Sequence, residues 1–382
     1  MKAYFIGGGI GSLAGATFLI RDGDVAGSDI TIYEQLPLFG GSLDGARLAD
    51  GSYSLRGGRM LTTDHYECTW DLLSGIPSLQ HPGLTVRDET ITFNVELKAH
   101  SRARLVDRNR HKVNVTRMGF SMHDRMELLR LIEASEETLG NSRITDWLSP
   151  AFFETNFWLM WQTTFAFQPW HSAVELKRYL HRFMNEFPRI ETLGGVKRTV
   201  YNQYDAIVRP ITSWLAKQGV RFVQDTRVGD MQFAERNGRL SVTSLALETN
   251  GKPGTVALDG TDLVFFQNGS MTDASSIGSM TEPPTRLTKA DSMGWQLWEK
   301  IADGRPAFGN PAAFNSSIPE SYWASFTVTC RDKRFFDQME AFSGNAAGTG
   351  GLVTFKDSNW LMSIVLYHQP HFVDQPDDVQ VF

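Results

Sequence analysis

Cysteine is scarce in this chain: Cys68 and Cys330 are the two thiols in 382 residues, too few for a disulfide framework or for a zinc site of their own. A reducing, cytoplasmic setting is therefore expected. No uninterrupted apolar run of about 18 residues occurs that would span a bilayer. Met1-Lys2 leads straight into a short apolar stretch and then glycines, with no cleavage-like segment, so no secretory leader is expected. An excess of positive charge is also missing. Lys and Arg number 37 against 43 Asp and Glu, a formal charge of −6 with no long basic tract, which argues against nucleic acid as the main partner. Internal repeats and low-complexity linkers are not evident. What is present is a globular composition, 41% hydrophobic and 21% charged, on a chain long enough for more than one domain. Aromatic residues reach 12%, with 25 Phe and 10 Trp. They cluster, which points either to a large apolar site or to a large core.

The chain opens as a strand, turn, helix and strand. Apolar Ala3-Tyr4-Phe5-Ile6 is followed by Gly7-Gly8-Gly9-Ile10-Gly11-Ser12, an amphipathic stretch through Leu13, Ala16, Leu19 and Ile20, and then Ile30-Thr31-Ile32-Tyr33-Glu34. Glycines at this place permit a tight turn and let backbone approach a pyrophosphate, while the helix N-terminus faces the anion. Gly7 and Gly9 are the first two glycines that turn requires, Ser12 stands where the third usually sits, and Gly11 between them is a further candidate cofactor contact. Glu34 ends the second strand, placed to accept hydrogen bonds from ribose hydroxyls. The expected fold class is therefore α/β, a Rossmann-like doubly wound dinucleotide-binding domain. Two further glycine loops, Phe39-Gly40-Gly41-Ser42 and Arg56-Gly57-Gly58-Arg59, and the strand Leu263-Val264-Phe265-Phe266 running to Asn268-Gly269-Ser270, favour FAD over NAD as the dinucleotide.

Between the two halves of that domain the period changes. Short alternating runs over 91–119 suggest strands, with a turn at Arg108-Asn109-Arg110. Met126, Leu129, Ile132 and Leu139 then fall at helical spacing, and an aromatic stretch follows, with Phe157, Trp158, Trp161, Phe165, Phe167 and Trp170. Those rings would either wall an acyl channel or pack a core. Ser172-Ala173-Val174-Glu175 has capping-box spacing and opens a helix whose apolar face carries Leu176, Tyr179, Leu180 and Phe183. Over 202–218 a further helix is expected, kinked at Pro210 and stopped by Gly219. The resulting division is 1–118 for the first part of the FAD-binding domain, 119–200 for a mainly helical substrate-binding insertion, and 201–382 for the remainder.

Several blocks together resemble one family: Gly7-Gly8-Gly9-Ile10-Gly11-Ser12-Leu13-Ala14, Gly40-Gly41-Ser42-Leu43-Asp44-Gly45, Arg56-Gly57-Gly58-Arg59, Tyr66-Glu67-Cys68-Thr69-Trp70-Asp71, Asn202-Gln203-Tyr204 and His368-Gln369-Pro370-His371-Phe372. They are similar to the FAD-dependent oleate hydratases, also called myosin-cross-reactive antigens, through almost the whole chain. The resemblance implies a hydro-lyase that adds water across the cis-9 double bond of oleate to give 10-hydroxystearate, with FAD serving structure and electrostatics. It implies Gly41, Ser42, Arg56, Gly57, Gly58, Arg59, Val228, Gly269 and Ser270 as further FAD contacts. Tyr179, within Arg178-Tyr179-Leu180-His181-Arg182-Phe183, is implied as the proton donor. Gln203 and His371 are implied at the substrate carboxylate, while Val365 and Tyr367 replace the polar partners usual on that strand. Most members carry Glu directly after Arg-Gly-Gly-Arg, where this chain has Met60, and a thioether accepts no proton at neutral pH. Asp64, His65, Glu67 or flavin-ordered water are the substitutes in view. The implied partners are unsaturated free fatty acids, oleate and then linoleate, with peripheral membrane contact and oligomeric state left open. Family chains usually continue well beyond Val381-Phe382, through a C-terminal region that completes the flavin site. The rival readings are a redox flavoenzyme, such as a fatty-acid double-bond isomerase, and a non-catalytic fatty-acid-binding protein.

Overall fold

The computed structural model describes residues 1–236, 238–267 and 273–382. It divides into two compact units: Met1–Gly58, Asp71–Arg87 and Asn202–Phe326 form one, and Arg59–Trp70, Asp88–Tyr201 and Thr327–Phe382 the other.

The first unit is built on a four-stranded parallel sheet in the order Leu263–Phe266, Ala3–Ile6, Ile30–Tyr33, Arg221–Val223. Strands covered on both faces read as continuous apolar runs, and all four residues of Ala3–Ile6 are buried. The helix Ile10–Arg21 follows the first strand and buries Leu13 and Ala16 completely. Thr226–Arg236, Arg239–Thr249 and Lys252–Ala257 form a three-stranded antiparallel sheet in the same unit. Its Val228, Met231 and Leu245 share a core with Tyr4, Ile6 and Tyr33 and with Leu297 and Ile301 of the helix Met293–Ala302. The helix expected over 202–218 is present, and Pro210 falls where it passes from a π-helical turn, Tyr204–Val208, into the α-helix Arg209–Lys217, a change of hydrogen-bond ladder that accommodates the missing N–H. Gly219, at φ +88°, follows as the stop.

The second unit is mainly helical, with small two- and three-stranded sheets. Residues 91–96, the start of the stretch expected to be strands, instead end the helix Val86–Glu96, which crosses the unit boundary, and 91–119 contributes one short strand, Leu105–Val106. In the helix Met122–Glu133 the buried face is Asp124, Leu128 and Leu131, while Met126 and Leu129 are exposed. Asp124 is held inward by the reciprocal cap with Ser121, and that rotation of the helix sets which leucines face the core. Phe157, Trp158 and Trp161 are fully buried; Phe157 stacks on Trp161 and on Phe187 and meets Phe152 edge-on, and Trp158 packs at a tilt against Phe152, so these three rings are core. Arg104 is also fully buried. Its guanidinium donates to the carbonyls of Leu352 (3.2 Å) and Ile190 and to Thr164 Oγ1 (2.9 Å). Among the described residues no helix is long and apolar enough to cross a membrane.

Candidate functional site

In the first unit the glycine turn and the second strand close on each other. Gly8 N–H donates to Glu34 Oε2 at 2.7 Å and Leu36 N–H to Glu34 Oε1 at 2.9 Å. Burial raises the Glu34 carboxyl above its ordinary value, opposed by these backbone N–H groups and by Arg56. The loop Phe39-Gly40-Gly41-Ser42 lies directly on the turn: Gly9 and Gly40 form an isolated parallel bridge, and Gly40 N–H donates to Gly8 O at 2.9 Å. Gly41 sits at φ +57°, and a Cβ there would lie 3.1 Å from Gly9 Cα, so only glycine permits this backbone-to-backbone approach. Ser42 belongs to the short 3₁₀ turn Gly41–Leu43.

The helix Ile10–Arg21 has no side-chain cap and no acid in its first turn. The Ser12 and Leu13 N–H groups turn back to Gly9 O at 3.1 Å each, and no side chain competes with an anion for the positive end of the helix. Ser12 Oγ is buried with no protein partner among the described residues, and a Cβ on Gly9 would meet nothing closer than 4.0 Å. An uncapped helix N-terminus, an orphaned hydroxyl and open space over Gly9 fit a pyrophosphate.

Arg56 pairs with Asp44 at 2.9 Å and lies within electrostatic reach of Glu34 and Asp273. Asp273 was not foreseen from sequence. Burial raises its carboxyl, offset by the N–H groups of Gly294 and Trp295 at the start of the helix Met293–Ala302. Its Oδ2 has no protein partner among the described residues. No local motif marks Asp273; tertiary folding alone sets it beside Glu34. Gly57 and Gly58 belong to this unit, Arg59 and Met60 to the other. Val228 is buried in the first unit's core. Gly269 and Ser270 lie outside the described residues.

Gln203, also in the first unit, is buried and immediately precedes the π turn. Next to it Asn202 Oδ1 accepts from Asp205 N–H at 3.1 Å, and Asp205 Oδ1 accepts from Arg209 at 2.8 Å. That turn delivers Val208 onto Gly40.

The second unit carries the tyrosine. Ser172 Oγ accepts from Glu175 N–H at 3.4 Å and opens the helix Ala173–Arg182. Leu176 and Leu180 are buried on its inner face, and Tyr179 beside them is half-buried with its ring against Phe165 (5.7 Å), Phe167 (5.1 Å) and Phe183 (5.7 Å). Burial raises the Tyr179 phenol above its usual value, helped by Glu175 and Tyr66 and opposed by Arg182. The phenol is therefore protonated at neutral pH. Met60 is partly buried against Ala99, Leu193 and Val196, an apolar packing role that suits a thioether. His371 is buried, its ring stacked on Tyr367 with centroids 4.0 Å apart, and its backbone N–H donates to Gln375 Oε1 at 2.8 Å. Burial, with His368 nearby, pushes its imidazole down to about 3. It is neutral at physiological pH and can meet a carboxylate only as a hydrogen-bond donor, not as a cation.

The parallel sheet, the uncapped glycine turn and the acid closing its second strand define a dinucleotide-binding α/β protein of the Rossmann type. Across all of residues 1–382 the sequence fits one family model, and the chain belongs to the MCRA family. It is 37% identical to an oleate hydratase of Streptococcus pyogenes serotype M49 over 99% of this chain and 65% of that protein. It is 35% identical to a linoleate hydratase of Lactiplantibacillus plantarum over 98% of this chain and 71% of that protein. The chain thus spans about two thirds of the length of the curated relatives it matches. Among solved structures, an oxidoreductase from Methanosarcina mazei is similar at 14% identity and a TM-score of 0.38, over 70% of this chain and 59% of its own.

Proposed function

We propose that this chain is a fatty-acid hydratase that binds FAD and adds water across the cis-9 double bond of oleate, giving 10-hydroxystearate. Two relatives named for the hydration of oleate and of linoleate support the substrate class. The observation that carries the chemistry is Tyr179, a protonated phenol with aromatic rings around it. Alkene protonation needs an acid held in an apolar place, and a positioned general acid contributes roughly 100- to 10,000-fold.

In this reading the helix N-terminus at Gly9 and Ser12 holds the FAD pyrophosphate, and Glu34 the ribose, with Gly41, Ser42, Arg56 and Asp273 around them. When bound, FAD supplies a flat polar ring that helps order water and substrate, with no net transfer of electrons. Tyr179 O–H donates its proton to one alkene carbon, and water bonds to the other. Phe165, Phe167 and Phe183 exclude competing water from the phenol. His371 donates a hydrogen bond to the substrate carboxylate.

The test is product analysis by mass spectrometry after incubation with oleate, FAD and a reductant in water enriched in heavy oxygen. A saturated hydroxy acid carrying the heavy oxygen is expected, and Tyr179→Phe should lower its formation at least about 100-fold while flavin and oleate binding persist. Undiminished turnover in Tyr179→Phe would sink the proton-donor assignment. Bleaching of the flavin by oleate under anaerobic conditions would point instead to a redox enzyme.

A further inference from the structure

With Met60 turned to packing, the second unit must supply another way to take up the surplus proton of the attacking water. The three nearby candidates are poorly suited. Asp64 is ion-paired with Arg189, Glu67 is exposed in the first turn of its helix, and His65 lies edge-on to Phe183 at 6.5 Å. Tyr66 stands differently. Its backbone is at φ +67°, a left-handed conformation that a bulky side chain adopts only when its surroundings impose it, and such residues concentrate at functional sites. The segment is fastened there: Trp70 N–H donates to Tyr66 O at 2.9 Å, and Trp70 Nε1 to Thr62 O at 2.8 Å. The Tyr66 ring lies 6.4 Å from Phe183, the same ring that Tyr179 meets at 5.7 Å. Arg182 sits over the Tyr66 ring at 5.2 Å and acts electrostatically on both phenols.

Resting on the hydratase reading, we propose that Tyr66 returns the surplus proton of the attacking water to Tyr179, so that Tyr66, Tyr179 and Arg182 form one relay that works without a carboxylate at position 60. The bookkeeping closes. Tyr179 gives its proton to one alkene carbon as the water oxygen bonds the other. The oxonium proton left on that oxygen passes to Tyr66 O, and the original Tyr66 proton passes to the Tyr179 phenolate. One water is added, both phenols are regenerated and no electrons are exchanged. Burial keeps both phenols protonated at rest, since each is raised by desolvation. Arg182, which lowers both, favours the transient phenolate, while Glu175, one turn before Tyr179 on the same helix face, opposes it.

The experiment compares the FAD-loaded wild type with Tyr66→Phe, which keeps the ring against Phe183 and Arg182. The relay predicts a kcat lower by about 100-fold with the oleate KM within a factor of about three. The solvent-deuterium proton inventory should change from curved to linear as one moving proton is lost. Wild-type kcat and an unchanged curved inventory in Tyr66→Phe would overturn the relay while leaving Tyr179 as donor. A wild type that makes no hydroxy acid takes down the hydratase reading and the relay with it. Ultraviolet titration of the phenols gives a reading independent of turnover. Removing Tyr66 should shift the Tyr179 ionisation downward, because one neighbour that disfavours its phenolate is gone, whereas an unmoved Tyr179 titration would show that the phenols do not communicate.

Discussion

Gly41→Ala tests the meeting of the two glycine loops directly. At φ +57° an alanine occupies left-handed space, which costs about 1 to 2 kcal/mol. Its Cβ would also stand 3.1 Å from Gly9 Cα. The neighbour is backbone and can yield only by moving the Gly9 to Gly40 bridge and the 2.9 Å bond from Gly40 N–H to Gly8 O, a bond worth about 1 kcal/mol. Together the cost is about 2 to 3 kcal/mol. Charged to cofactor binding, that is a loss of roughly 30- to 150-fold in FAD affinity, measured by quenching of flavin fluorescence, with global stability tracked by urea unfolding. Gly229→Ala is the control, since a Cβ there meets nothing within 4 Å and no left-handed φ is involved. It should leave both quantities within about 0.5 kcal/mol of wild type. If Gly41→Ala binds FAD and unfolds as the wild type does, the loops do not depend on close backbone approach, and the flavin cradle described above is wrongly built.

Two further outcomes are expected. His371 has a folded-state value depressed from 6.5 to about 3, so the stability it confers is complete above about 6.5 and drains away as pH falls toward 3, because the unfolded chain takes up the proton first. Urea midpoints should therefore decline from about pH 7 to about pH 4, and less steeply in His371→Phe, which preserves the stack on Tyr367; equal slopes would contradict the buried neutral imidazole. Trp161→Ala should cost about 3 to 5 kcal/mol, whereas Trp161→Phe should cost less than about 1.5 kcal/mol, since the indole N–H has no protein partner among the described residues; equal losses in urea unfolding would mean that the N–H is engaged.

What could be read from the sequence was what is local. The first strand, its glycines and Glu34 form a contiguous signal because parallel strands are uniformly apolar and the turn has a fixed spacing. The helix carrying Tyr179 was visible because Ser172 and Glu175 mark its start. The helix Val86–Glu96 was missed because Val86, Thr90 and Ile91 are β-branched and its inner face includes polar Glu89, Thr90 and Asn94. Asn94 faces inward because it exchanges hydrogen bonds with the backbone of Arg198, at 3.0 and 2.7 Å, a partner 104 residues away that no periodicity announces. Asp273 beside Glu34, and Tyr66 across Phe183 from Tyr179, are likewise products of chain crossing. The aromatic run was legible as a cluster, but its division into core rings (Phe157, Trp158, Trp161) and rings around the phenol (Phe165, Phe167) was set by helix orientation.

The three bonds of buried Arg104 bear on how the second unit comes apart. They tie residue 104 to 164, 190 and 352, so a late segment of the chain is fastened to two much earlier ones through a single guanidinium. Peeling away the late segment would leave a cation in the interior short of an acceptor, which is costly. Fraying of Thr327–Phe382 on its own is therefore disfavoured. Hydrogen exchange should show the amides around Leu352 opening together with those around Ile190 and Thr164, as one cooperative block rather than as a detachable tail.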